Sequence, residues 1–174
     1  MIAPAWTNGE LWGGSDQKVY EELAGAVKVW QKSGREVTLM SCHPSDDRPI
    51  LLIKELIGET GVGYHAGYLD VAESVELIAS SSIVVGERLH ACVLAAAAGR
   101  PFVAIEYRPK VRDFSESVAM DDYVIRSDQL RAGRLVELVT ELGSGAPEEM
   151  DAAVITYRRR LAEGSRVIEA AVKG

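Results

Sequence analysis

Two short apolar runs flank one alanine-rich stretch, and this arrangement constrains the fold more than any other part of the chain. Ile83-Val84-Val85 ends at Gly86. Glu87-Arg88-Leu89-His90 follows, an alanine-rich segment runs to Gly99, and Pro101 introduces a second apolar run from Phe102 to Ile105. The order reads as strand, turn, helix, glycine stop, strand. Continuous apolar strands joined by a helix belong to parallel sheets buried on both faces. After the second strand a basic loop is expected to hold Arg108, Lys110 and Arg112.

The alternation extends in both directions. Met1 to Trp6 reads as a first strand, and Thr7 to Ser15 as a turn-rich loop. Asp16 to Ser33 has helical spacing through Val19, Leu23, Ala26, Val27 and Trp30, with Gly34 as a stop. Glu36 to Cys42 is a strand, His43 to Pro49 a polar loop, Ile50 to Glu59 a helix and Val62 to Tyr68 a short strand with its loop. Asp70 caps a helix to Ser80. Phe114 to Met120 reads as a short helix, Tyr123 to Ile125 as a strand, and Ser127 as the cap of a helix reaching Leu142. A last helix, about 147–172, is expected to pack on the domain with a kink at Gly164. The fold class is therefore α/β: one doubly wound, Rossmann-like parallel sheet.

At 174 residues the chain suits one domain. A net charge of −7 argues against general nucleic-acid binding, which needs excess Lys and Arg. The cations around Arg108–Arg112 thus form a local patch on an acidic protein, suited to a small anion. Cys42 and Cys92 form no Cys-x-x-Cys motif, and no metal-ligand cluster or cofactor fingerprint is visible. No apolar run reaches the roughly 18 residues of a membrane span. With no signal peptide apparent, a cytoplasmic location is expected.

Arg88 stands at a helix start, where partial positive charge makes a cation unfavourable. An anion there would resolve the conflict, because the free N–H groups and a guanidinium fork would bind the same oxygens. His90 adds a proton carrier near neutral pH. Lys110 and Arg112 follow the next parallel strand, on the same rim. Each residue has a plainer reading too. On that reading Arg88 pairs with Glu87 or another carboxylate as a surface salt bridge, His90 bonds a neighbouring loop, Tyr107 packs in the strand, and Lys110 and Arg112 are solvated loop charges. On the anion reading, Arg88→Ala is expected to leave folding intact. His43-Pro44-Ser45-Asp46-Asp47 lies on that rim as a capping loop, or as carboxylates acting on a hydroxyl or a cation. Gly13-Gly14-Ser15-Asp16 faintly suggests a phosphate loop, without its full pattern.

Gly86-Glu87-Arg88-Leu89-His90, Ala95, Gly99-Arg100-Pro101, Tyr107, Lys110 and Phe114 together resemble the signature of the polysaccharide pyruvyl transferase family. The resemblance implies a domain like the C-terminal one of a GT-B-type transferase, with a second domain usually in front of it. It implies transfer of pyruvate, as a ketal, from phosphoenolpyruvate to a sugar of a cell-surface polysaccharide precursor, with a glycan or lipid-linked saccharide as acceptor. Neither cofactor nor metal is implied. Arg88 and His90 become the catalytic candidates, and Gly86, Glu87, Leu89, Tyr107 and Lys110 join them in binding substrate. Two other readings stay open: a GT-B-type nucleotide-sugar glycosyltransferase or epimerase, and a non-catalytic anion-binding or interaction domain that relies on a partner.

Overall fold

In a computed structural model the described residues are 1–7, 15–58, 61–65, 67, 69–143 and 146–173. Six parallel strands form one sheet: β1 (Ile2–Ala3), β2 (Thr38–Met40), β3 (Gly63–His65), β4 (Val84–Gly86), β5 (Phe102–Glu106) and β6 (Val124–Arg126). Their spatial order is β3-β2-β1-β4-β5-β6. The register pairs Ile2 with both Leu39 and Val85, and Val85 with Val103. The chain thus winds outward from β1 to one edge, returns, and winds outward from β4 to the other. The winding reverses between β1 and β4, which is where ligands bind in doubly wound sheets.

Helices α1 (Asp16–Lys32), α2 (Asp47–Ile57), α3 (Val71–Ala79), α4 (Leu89–Ala97), α5 (Pro109–Ser117), α6 (Ala132–Leu142) and α7 (Glu148–Lys173) cover the sheet. The apolar spacing read in α1 is its buried face: Val19, Leu23, Ala26, Val27 and Trp30 are all in the core. Asp70 caps α3 through a reciprocal capping box with Glu73. Gly99, at φ +66°, follows α4 in the left-handed conformation that favours glycine. α7 packs back through buried Met150 and through Tyr157, whose ring meets Phe114 edge-on at 5.9 Å. Phe114 also stacks on Phe102 of β5, with centroids 6.1 Å apart. The helical assignment of α7 runs through Gly164.

Several expected boundaries move, for local reasons. The basic loop is not a loop: Lys110 and Arg112 lie in α5, which begins at Pro109, where proline's fixed φ suits a first helical residue. The helix expected from Phe114 therefore starts five residues earlier. The polar loop 43–49 contains a 3-10 turn, Pro44–Asp46, and the start of α2 at Asp47. Ser127 opens a separate 3-10 turn, Ser127–Gln129, and does not cap α6. Instead the backbone N–H of Ala132 donates to the Glu22 carboxylate of α1 at 2.7 Å, a cap from another element that local sequence does not announce. The glycine-rich loop at 8–14 lies outside the described residues.

Candidate functional site at the reversal of the sheet

Arg88 is the residue before α4, at the strand end beside β1. Its side chain is committed to a fully buried carboxylate. Nε donates to Asp46 Oδ1 and Oδ2 at 3.1 and 3.0 Å, and Nη2 donates to Oδ1 at 2.5 Å. Asp46 is 0% exposed and the Arg88 side chain 18%. Asp46 Oδ1 also accepts the Trp6 N–H at 3.1 Å, while Arg88 Nη2 reaches the Trp6 carbonyl at 3.4 Å. Three loops, after β1, β2 and β4, are thus tied at one point. Burial lowers the Arg88 pKa, but hydrogen bonds and charge from Asp46, with Tyr107, outweigh it and the net shift is upward. Arg88 therefore has a carboxylate partner, as one of its plainer readings held, but the pair is buried and not a surface bridge. Asp46 was legible only as part of a capping loop.

Glu87 is buried in the core, where it still feels the charges of both Arg88 and Asp46. It is 1% exposed; Oε2 accepts the Ala5 N–H at 2.7 Å, and Oε1 has no partner among the described residues. Burial pushes its pKa up to about 8, the Ala5 hydrogen bond opposes the shift, and Asp16 adds to it. Gly86 ends β4 where α4 presses closest. A Cβ built there would lie 2.6 Å from Cys92 Sγ, so this position admits no side chain while Cys92 stands opposite. Leu89 is half-buried and packs against the core.

On the β5 side, Tyr107 directly follows the strand and is 8% exposed. Its electrostatic effect on Arg88 brings it into the site. Lys110 Nζ and the Arg108 guanidinium sit over its ring, 5.9 and 6.0 Å from the centroid. Lys110 and His90 are both the second residue of their helices, and both are exposed. Neither α4 nor α5 has an acid in its first turn or a side-chain cap. Arg112 is drawn away from this group: it bonds Glu106 at 2.9 Å through Nε and 2.8 Å through Nη2.

On the β2 side, a cavity of about 320 Å³ is lined by Arg88, His90, Ser41, Cys42 and His43, with Leu69, Val71, Val93 and Leu94 as apolar walls. Burial pushes the Cys42 thiol up to about 11, so it stays protonated. A second cavity, about 340 Å³, opens at the strands' other ends, beside Trp30, Arg35 and Ile83, and holds none of the motif residues. Among the described residues no cluster of three or more His, Cys, Asp or Glu side chains is placed to hold a metal, and no helix is long and apolar enough to cross a membrane.

A family model described as polysaccharide pyruvyl transferase matches residues 9–109, which span β2 to β5 and the motif around Arg88. The chain belongs to the polysaccharide pyruvyl transferase family. This is a transferase family, and the motif that suggested it sits at the reversal of the sheet. No curated protein matches the sequence. Among solved structures, the chain is similar to the catalytic domain of cholesterol-α-glucosyltransferase from Helicobacter pylori. The two are 16% identical with a TM-score of 0.55, over 93% of this chain and 96% of that one. At that identity the likeness shows fold: a Rossmann-like domain of the kind found in GT-B-type transferases.

Proposed function

We propose that this domain binds phosphoenolpyruvate between the starts of α4 and α5 and serves pyruvyl transfer to a sugar of a polysaccharide precursor. The observation that carries the reading is the grouping of Arg88, Tyr107 and Lys110 around two uncapped helix starts at the reversal of the sheet. Phosphoenolpyruvate carries a phosphate and a carboxylate close together. Two helix starts with a flanking lysine and tyrosine match that pair of anions.

In the reaction, the methylene carbon of the enol takes a proton and one sugar hydroxyl adds to the adjacent carbon. The C–O bond to phosphate then breaks, and a second hydroxyl closes the ketal. Of the two hydroxyl protons displaced, one balances the new methyl group and the other leaves with phosphate. His90, exposed at the second position of α4, would carry these protons. Lys110 would hold charge on the departing phosphate. A preceding domain or a partner chain would close the cleft over the donor.

Calorimetric titration tests the reading. Phosphoenolpyruvate should bind saturably, and Lys110→Ala and His90→Ala should each weaken binding about tenfold. Both residues are exposed, so neither change confuses folding with binding. Binding of a nucleotide diphosphate sugar in place of phosphoenolpyruvate would overturn the reading and favour glycosyl transfer.

A further inference from the structure

The loop after β2 carries a directed chain of hydrogen bonds. Arg88 Nη2 donates to Ser45 Oγ at 3.3 Å, and Ser45 Oγ is 2.8 Å from His43 Nδ1. The Ser45 backbone N–H donates to the same Nδ1 at 3.2 Å. A backbone N–H can only donate, so Nδ1 must be the unprotonated nitrogen. The guanidinium can only donate too, which turns the Ser45 hydroxyl proton toward His43. The hydrogen-bond pattern therefore assigns His43 the neutral tautomer with its proton on Nε2. His43 itself is exposed and lines the cavity that His90 also lines.

This cavity differs in charge from the α4–α5 side. Among the described lining residues Arg88 is paired with Asp46; Cys42 is a thiol, and four walls are aliphatic. Such a lining suits a neutral ligand with apolar faces and a few oxygens. We infer that the cavity takes the saccharide acceptor, and that His43 positions one of its hydroxyl oxygens as a fixed Nε2–H donor. His43 is then a positioning residue distinct from the proton carrier: its Nδ1 is occupied, whereas His90 makes no hydrogen bond among the described residues. The choice of a saccharide rests on the pyruvyl-transfer reading; the tautomer and the neutrality of the cavity do not.

The test uses the whole chain, labelled with nitrogen-15, and methyl β-D-glucopyranoside as a neutral pyranoside with vicinal hydroxyls. Two-bond proton–nitrogen spectra should show His43 as the Nε2–H tautomer, and Ser45→Ala, which removes the hydroxyl donor but keeps the backbone N–H on Nδ1, should weaken that preference without reversing it. The glucoside should shift the His43 resonances. His43→Phe should weaken its binding about tenfold, the loss of one hydrogen-bond donor, while His43→Gln, which keeps a donor, should stay within about threefold. Phosphoenolpyruvate affinity should be unchanged in both variants. The inference is overturned by an Nδ1–H tautomer, by the absence of a glucoside response at His43, or by an equal loss of phosphoenolpyruvate affinity in His43→Phe. If the glucoside responses hold while phosphoenolpyruvate fails to bind the unaltered chain, the inference stands and the donor assignment falls.

Discussion

Replacing Arg88 with Ala strips a fully buried carboxylate of its cation. Asp46 keeps the Trp6 N–H on Oδ1, but the Arg88 bonds are gone from both oxygens. Breaking a buried pair by removing one partner costs about 3–5 kcal/mol. Because Arg88 lies partly at the surface, water can follow into the gap, which places this variant near the lower end, about 3 kcal/mol. For a chain of this size the melting temperature should fall by about 6–12 °C. Asp46→Asn alone should also destabilise, since it leaves the guanidinium without its counter-charge. In the Arg88→Ala background the sign should reverse, because a neutral amide is cheaper to bury than an unpaired carboxylate. Urea unfolding of the four proteins, followed by circular dichroism, closes the cycle. Additive effects, or an Arg88→Ala loss below about 0.5 kcal/mol, would refute the pairing and return the guanidinium to an external anion. The buried pair overturns the expectation that Arg88→Ala leaves folding intact, and a loss of ligand affinity in that variant alone would not identify a ligand contact.

The Glu87 carboxyl titrates near 8 when folded and at about 4.5 as an ordinary carboxyl, so its contribution is complete below about 4.5 and is lost as pH rises through 8. The stability of the wild type relative to Glu87→Gln should therefore decline across that window with a slope approaching about 1.4 kcal/mol per pH unit, measured by urea unfolding at successive pH values. Gly86→Ala should destabilise by about 1–3 kcal/mol through its collision with Cys92 Sγ, and Cys92→Ala should recover most of that loss in thermal melts. No recovery would place the strain in the backbone instead.

The sheet was legible because its information is local. Ile83 to Val85 and Phe102 to Ile105 are buried throughout, as continuous apolar runs in parallel strands must be. The spacing in α1 and the cap at Asp70 were read for the same reason. What stayed hidden depends on residues far apart in sequence. The Asp46 carboxylate and the Arg88 guanidinium are 42 positions apart, and nothing in the loop 43–49 marks Asp46 above Asp47. Asp47 in fact accepts the Gly67 N–H at 3.0 Å. Glu22 caps α6 from 110 positions away, which is why Ser127 was the natural but mistaken choice. Within the site, the residue types of the motif were readable but their orientations were not: Glu87 turns inward and Arg112 turns to Glu106.

The helix starts divide the molecule electrostatically. α1, α2, α3 and α7 each begin with acidic residues, as the helix dipole favours. α4, α5 and α6 follow Arg88, Arg108 and Arg131 with no acid in the first turn. These three begin at the ends of β4, β5 and β6, so the second half of the sheet carries an unfavourable rim at a cost of about 0.3–1 kcal/mol per helix. Two of the three are relieved internally: Asp46 holds Arg88, and Glu22 accepts the first N–H of α6. At α5, Arg112 has Glu106, but Lys110 touches only the Tyr107 ring among the described residues. Lys110 therefore brings positive charge to the start of α5 with no carboxylate paired to it among the described residues. The affinity for a small anion should follow Lys110 more than Arg88, once folding is held constant. Lys110→Ala should lose more phosphoenolpyruvate affinity than Arg88→Lys, which keeps a cation beside Asp46, and the difference should shrink as salt screens the exposed lysine. If Arg88→Lys loses more, the guanidinium fork itself grips the donor and Asp46 serves to aim it.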